Sequence, residues 1–264
     1  MIGAIIGDIV GSRFEFNNYR AMDFELFHKD CTFTDDTICT VAVADWLLTD
    51  TKYLTPVQLT KIMRRWCQLY PSSYGGRFGR WIWENTMGGY DSYGNGSAMR
   101  VSPVAWAFNN IVDVVAAAEL SAEISHNHPE GIKGAQSVVD AIYKLRRGFD
   151  KHMVIKNIFN SYNYQHPGMC GAIRRVNTFN ETCQVTVPQA FQCLSESTDF
   201  ESAIRLAVSI GGDSDTIAAI TGSLAEACYG IQTELEERAL AYLPGDMIKV
   251  INEFKKTFGY GKRL

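Results

Sequence analysis

The sequence predicts an all-α fold, and three observations carry that prediction. Apolar residues recur at three- and four-residue spacing along nearly the whole chain. Strand-like alternation is confined to one brief stretch, 182–187. Glycines at 3, 7 and 11 lie four apart, which places them on one face of an otherwise apolar first helix.

The first helix, 1–11, has Ile5, Ile6, Ile9 and Val10 between its glycines. Each helical glycine costs roughly 1 kcal/mol against alanine, so three on one face imply a second backbone packed very close. A helix over 37–48 follows, with Ile38, Val41, Ala42 and Trp46 on one side. Thr55-Pro56, an N-cap and a first-turn proline, opens a helix over 57–70, which Pro71 ends. Residues 71–97 then hold seven glycines and six aromatics with little periodicity, and read as a long irregular segment of the kind that often carries function.

Helical patterns resume over 101–108, 111–124, 131–147 and 151–162. Residues 163–186 are polar and read as irregular, followed by helices over 188–194 and 200–209. The helix over 217–229 is rich in small residues, with Ala218 and Gly222 on one face, Ala219, Ser223 and Ala227 beside it, and Gly230 to stop it. It is the expected neighbour of the glycine-faced first helix. Helices over 235–243 and 246–258 close the chain. With no linker, repeat or low-complexity tract, residues 1–264 read as a single domain.

Composition narrows the function. Hydrophobic residues make up 46% and charged residues 20%, as in a folded soluble protein, and a net charge of −4 argues against nucleic acid as a partner. The apolar start is short and interrupted by Asp8, so neither a signal peptide nor a membrane anchor is expected. Seven cysteines without a C-x-x-C pair point to reduced, buried thiols and a cytoplasmic location.

Two acidic clusters each precede a helix: Phe33-Thr34-Asp35-Asp36-Thr37 and Gly211-Gly212-Asp213-Ser214-Asp215-Thr216. Helix capping explains one aspartate at such a position, not two. Both helices have core composition, and four buried aspartates call for a cation. Carboxylates and threonine hydroxyls suit Mg²⁺, Mn²⁺ or Ca²⁺ rather than zinc, and the histidines lack ligand spacing with cysteines. Four carboxylates suggest two ions. The D-x-D-x-[TV] phosphotransferase signature does not fit, because Ile217 stands at its last position and Gly211-Gly212 replace the preceding apolar strand.

The sequence resembles the ADP-ribosylglycohydrolase family nearly end to end. The resemblance rests on Gly3-Ala4-Ile5-Ile6-Gly7-Asp8 with Gly11-Ser12 and Glu15, on residues 33–37, on Ser92-Tyr93-Gly94-Asn95-Gly96-Ser97-Ala98-Met99-Arg100, on Ser125-His126, and on residues 209–218. It implies a compact orthogonal multi-helix bundle around a central site holding two divalent cations, Mg²⁺ or Mn²⁺. The implied metal ligands are Thr34, Asp35, Asp36, Asp213, Asp215 and Thr216. Glu15 matches a glutamate on a mobile flap, and either it or Asp36 would position or deprotonate water. Ser92, Tyr93, Gly94, Asn95 and His126 would bind substrate. Arg77, Arg80 and Arg100 are further phosphate partners to weigh against ordinary salt bridges.

The implied activity is hydrolysis of an ADP-ribosyl bond to arginine, serine or another acceptor, on a protein or a small conjugate, by a monomer. The rival reading is a crystallin-like or degenerate member that binds an ADP-ribosyl ligand without turnover.

Overall fold

The computed structural model describes residues 1–72 and 74–260. Position 73, inside the segment read as irregular, and positions 261–264, the end of the expected single domain, lie outside the described residues. The all-α expectation is borne out. The helices are α1 (Ile2–Gly11), α2 (Asp35–Leu47), α3 (Pro56–Leu69), α4 (Gly76–Trp83), α5 (Gly96–Arg100), α6 (Val104–Ala107), α7 (Ile111–Glu123) and α8 (Pro129–Leu145). They continue with α9 (Lys151–Ser161), α10 (Cys170–Val176), α11 (Cys183–Glu196), α12 (Phe200–Ser209), α13 (Ser214–Tyr229), α14 (Thr233–Leu240) and α15 (Gly245–Phe258). Among the described residues the extended pairing is one isolated antiparallel bridge, Gly94 to Thr182. No described helix is long and apolar enough to cross a membrane.

The glycine face of α1 packs on α13, as its spacing predicts. A Cβ on Gly3 would stand 2.1 Å from the Gly222 carbonyl oxygen, and one on Gly7 2.0 Å from that of Ala218. At Gly11 it would meet the Asp215 Cα at 2.5 Å. All of α1 is buried, as is α13 from Ser214 to Ala227. Helices α8, α11 and α12 pack around α13, and α2 lies against α1. This central pair carries the N-terminus of α13, and with it Asp213 and Asp215, to the middle of the molecule.

Three segments differ from the sequence expectation. Residues 71–97 include α4 despite its glycines. Tertiary contacts hold it: Phe78 stacks on Trp81 at 5.3 Å, and the buried Arg64 of α3 donates to the carbonyls of Trp81, Glu84, Asn85 and Met87. Those bonds satisfy the Trp81 carbonyl, which the helix end leaves orphaned, and tie down the loop that follows α4. Residues 163–186 include α10 and the start of α11, which runs through Pro188. Pro188 removes the bond to the Gln184 carbonyl, but Gln184 is exposed, so water can satisfy that group. The stretch 182–187, briefly strand-like in sequence, is therefore mostly helical. Finally, the helix expected over 101–108 is reduced to the short α6, Val104–Ala107, with Pro103 at its N-cap, while the preceding turn of helix, α5, ends at Arg100 and begins inside the segment read as irregular.

Candidate active site

The two acidic clusters form the first turns of α2 and α13. Neither Thr34 nor Asp213 caps its helix with its own side chain. For α2 the cap comes from Asp8 of α1. Asp8 Oδ2 accepts the backbone N–H groups of Thr34 at 2.9 Å and Thr37 at 3.1 Å, while Oδ1 accepts the Thr34 hydroxyl at 2.5 Å. Ahead of α13, Gly211 and Gly212 have φ of 69° and 83°, left-handed backbone that favours glycine. Asn18 holds this turn from both sides, donating to the Gly212 carbonyl at 2.9 Å and accepting its N–H at 2.8 Å. Asn177 donates to the Gly211 carbonyl at 2.9 Å.

The clusters meet. Thr216 Oγ1 donates to Asp36 Oδ2 at 3.1 Å. Carboxylate oxygens of Asp8, Asp36 and Asp215 lie within 4.8 Å of one another, and so do those of Glu15, Asp213 and Asp215. Asp215 belongs to both triads. Glu15, Asp35, Asp36, Asp213, Asp215 and Thr216 line one wall of a cavity of about 290 Å³. Thr34 stands beside this wall, with its hydroxyl committed to Asp8.

Burial and mutual repulsion disfavour the charged forms. Burial, then Asp213 and Asp35, push the half-buried Glu15 up to about 8. Burial and Asp8 raise Asp35 to about 7. Asp36 and Asp215 lie well above the ordinary carboxylate range, through burial first and then Asp8 for Asp36 and Asp213 for Asp215. Asp36 Oδ1 is buried without a hydrogen-bond partner among the described residues. A set of hard oxygen donors, packed against one another with one oxygen orphaned, fits divalent cations such as Mg²⁺ or Mn²⁺.

The glycine loop lines the same cavity. Asn95 N–H donates to the Glu181 carbonyl at 2.7 Å and Cys183 N–H to the Tyr93 carbonyl at 3.0 Å, pinning the loop to the start of α11. Ser92, Gly94, Asn95, Gly96 and His126 line the cavity. The Asn95 amide, however, donates to Asp213 Oδ2 at 2.6 Å and to Thr186 at 3.1 Å, so it braces the acidic wall. Tyr93, 49% exposed, stands outside this cavity and lines an adjoining one of about 400 Å³ with Phe179, Asn180 and Glu181.

His126 pairs through Nδ1 with Ser125 Oγ at 2.8 Å. Burial and the nearby Arg100 hold its pKa well below the ordinary histidine value, which keeps the ring neutral near pH 7. Arg100 is itself buried and donates to the Ser121 carbonyl and Ser125 Oγ, at 2.7 and 3.0 Å. Arg77 lines the cavity, whereas Arg80 lies outside it, 3.7 Å from Glu84 in an exposed ion pair.

Sequence reasoning did not pick out Asp8, Asn18 or Glu181 as site residues. Asp8 had a signal, being a charge inside a wholly apolar helix. Asn18 and Glu181 sit in irregular segments where local pattern carries none.

A family model described as ADP-ribosylglycohydrolase matches residues 1–259. The chain is 24% identical to the ADP-ribosylhydrolase ARH3 of Danio rerio, across 88% of this chain and 82% of that protein. It is also 24% identical to the ADP-ribosylarginine hydrolase Tri1 of Pseudomonas putida, across 88% of this chain and 70% of that protein. A solved structure titled "ADP-ribosylglycohydrolase-related protein complex" superposes with a TM-score of 0.74 at 23% identity, covering 97% of this chain and 96% of that one. That likeness shows a shared fold.

Proposed function

Because the chain belongs to the ADP-ribosylglycohydrolase family, we propose that it is a metal-dependent hydrolase that removes ADP-ribose from a modified protein side chain, arginine- or serine-linked, or from a related conjugate. The carrying observation is the convergence of two acidic helix starts, 180 residues apart at Asp36 and Thr216, on one cavity that a glycine loop also lines.

In this reading Thr34, Asp35, Asp36, Asp213, Asp215 and Thr216 hold two cations, Mg²⁺ or Mn²⁺, and the sharing of Asp215 between two carboxylate triads supports two positions rather than one. Such ions supply Lewis acidity toward ribose hydroxyls and lower the pKa of water. The chain's own residues do the rest. Glu15, half-buried on the cavity wall beside Asp213 and Asp215, accepts a proton from the attacking water. Asp36 is the competing base, but it is buried and already accepts from Thr216. The anionic wall favours the positive charge that develops on the ribose ring as the bond breaks. Ser92 and the backbone of Gly94 and Gly96 cradle the diphosphate, with the neutral His126 behind them. Asn95 keeps Asp213 in place.

Release of ADP-ribose from arginine- and serine-linked peptides, with Mg²⁺ or Mn²⁺ supplied, tests the reading. Asp35→Asn and Asp215→Asn are expected to abolish release while the helical circular dichroism stays the same. No release from any linkage by the parent protein overturns it. ADP-ribose binding without release would favour a non-catalytic member of the family.

A further inference from the structure

We propose that Asp8 is a positioning residue of the metal site, setting the direction in which Thr34 presents its hydroxyl oxygen. The proposal rests on the metal-binding reading given above. Asp8 lies in α1, is wholly buried, and spends both oxygens on one short stretch of α2.

A helix cap needs one acceptor for one or two N–H groups. Here Oδ2 alone meets that need, accepting from Thr34 and Thr37. Oδ1 is left for the Thr34 hydroxyl, at 2.5 Å. A hydroxyl has one proton and two lone pairs. With its proton given to Asp8, Thr34 Oγ1 has only lone pairs to offer elsewhere, which is the state a cation requires. Asp8 also stands within 4.8 Å, oxygen to oxygen, of Asp36 and Asp215, so a shift of its carboxylate is felt at both helix starts. The seat of α1 is fixed by the approach of Gly7 to Ala218 and of Gly11 to Asp215. Asp8 thereby references α2 to α13.

Asparagine at this position separates the two duties. Its carbonyl oxygen can still accept the N–H groups of Thr34 and Thr37, so the cap survives. Its NH₂ would donate toward Thr34 Oγ1 and force the hydroxyl proton to point elsewhere, opposing a cation. A purely structural cap would barely notice this change.

The test is Mn²⁺ binding, followed by the paramagnetic resonance of free Mn²⁺, on the parent protein, D8N, T34V, T34S and the D8N/T34V double variant, with circular dichroism as the fold control. The expected result is a loss of affinity of about 10- to 100-fold in D8N. T34V shows a similar loss, and the double variant is no weaker than T34V alone, as coupled residues require. T34S, which keeps the hydroxyl, binds as the parent does. Hydrolysis by D8N recovers at high Mn²⁺. Parent-like affinity in D8N, or losses that add in the double variant, overturns the proposal. If D8N does not fold, T34V against T34S decides, and equal binding by those two overturns it. Absence of Mn²⁺ binding by the parent overturns the metal reading itself, and this proposal with it.

Discussion

Thr216 Oγ1 donates to Asp36 Oδ2 at 3.1 Å, joining the first turn of α13 to that of α2. The bond helps offset the burial that drives the Asp36 pKa upward. Removing it in Thr216→Val raises that pKa further, so a cation must displace a more tightly held proton. Equilibrium dialysis with Mg²⁺ should show weaker binding in the variant, with a deficit that shrinks as pH rises through the Asp36 titration. A deficit that persists undiminished once Asp36 is ionised would mean that Thr216 acts only as a ligand.

The pH dependence of stability has a definite sign. Glu15 rises from 4.5 to about 8 and Asp35 from 3.8 to about 7 on folding. Across that interval the folded metal-free protein holds more protons than the unfolded chain, so its stability falls as pH rises. The contribution of these groups is fully present below their unfolded values and is lost as pH passes through the folded ones. Thermal melts in chelator should therefore drop between about pH 5 and about pH 8, and added Mg²⁺ should restore more stability at the upper end. A melting temperature that climbs over this range in chelator would contradict the assignment.

Gly7→Ala tests the close packing of α1 on α13. Its Cβ would stand 2.0 Å from the Ala218 carbonyl oxygen, a backbone atom that cannot swing aside. Overpacking of this kind costs typically about 1–3 kcal/mol, and more where backbone must move. Denaturant unfolding of the variant should show at least that loss. An unchanged midpoint would mean that the two helices are farther apart in solution.

These cases show what the sequence could disclose. Glycines at 3, 7 and 11 announce a close helix contact because the constraint repeats at helical spacing on one element. The paired aspartates at 35, 36, 213 and 215 are legible because a cap needs only one of them. Helix α4 was hidden because its stability comes from Arg64, on a different helix, and not from its own glycine-rich residues. The brace from Asn95 to Asp213 was hidden for the same reason. A side chain in a glycine loop looks like a ligand for substrate until the fold brings a carboxylate to 2.6 Å from it.

Asn18 ties the segment that carries Glu15 to the turn before α13. Its amide donates to the carbonyls of Phe14, Glu15 and Gly212 and to Ser214 Oγ, and its oxygen accepts the Gly212 N–H. Arg20 adds bonds to the carbonyls of Ile210, Arg174 and Asn177. The Glu15 arm is thus fastened to the same turn that sets Asp213. Asn18→Ala removes the tie at Gly212 but leaves Arg20 and the acidic residues in place. Amide hydrogen exchange should quicken in the Glu15 segment and at Gly212, while the centres of α1 and α13 keep their protection. Turnover should fall with a smaller change in metal affinity, because Glu15 is displaced and the carboxylates of α2 and α13 are not. Unchanged exchange at Gly212 in this variant would show that Arg20 and Asn177 hold the turn without it.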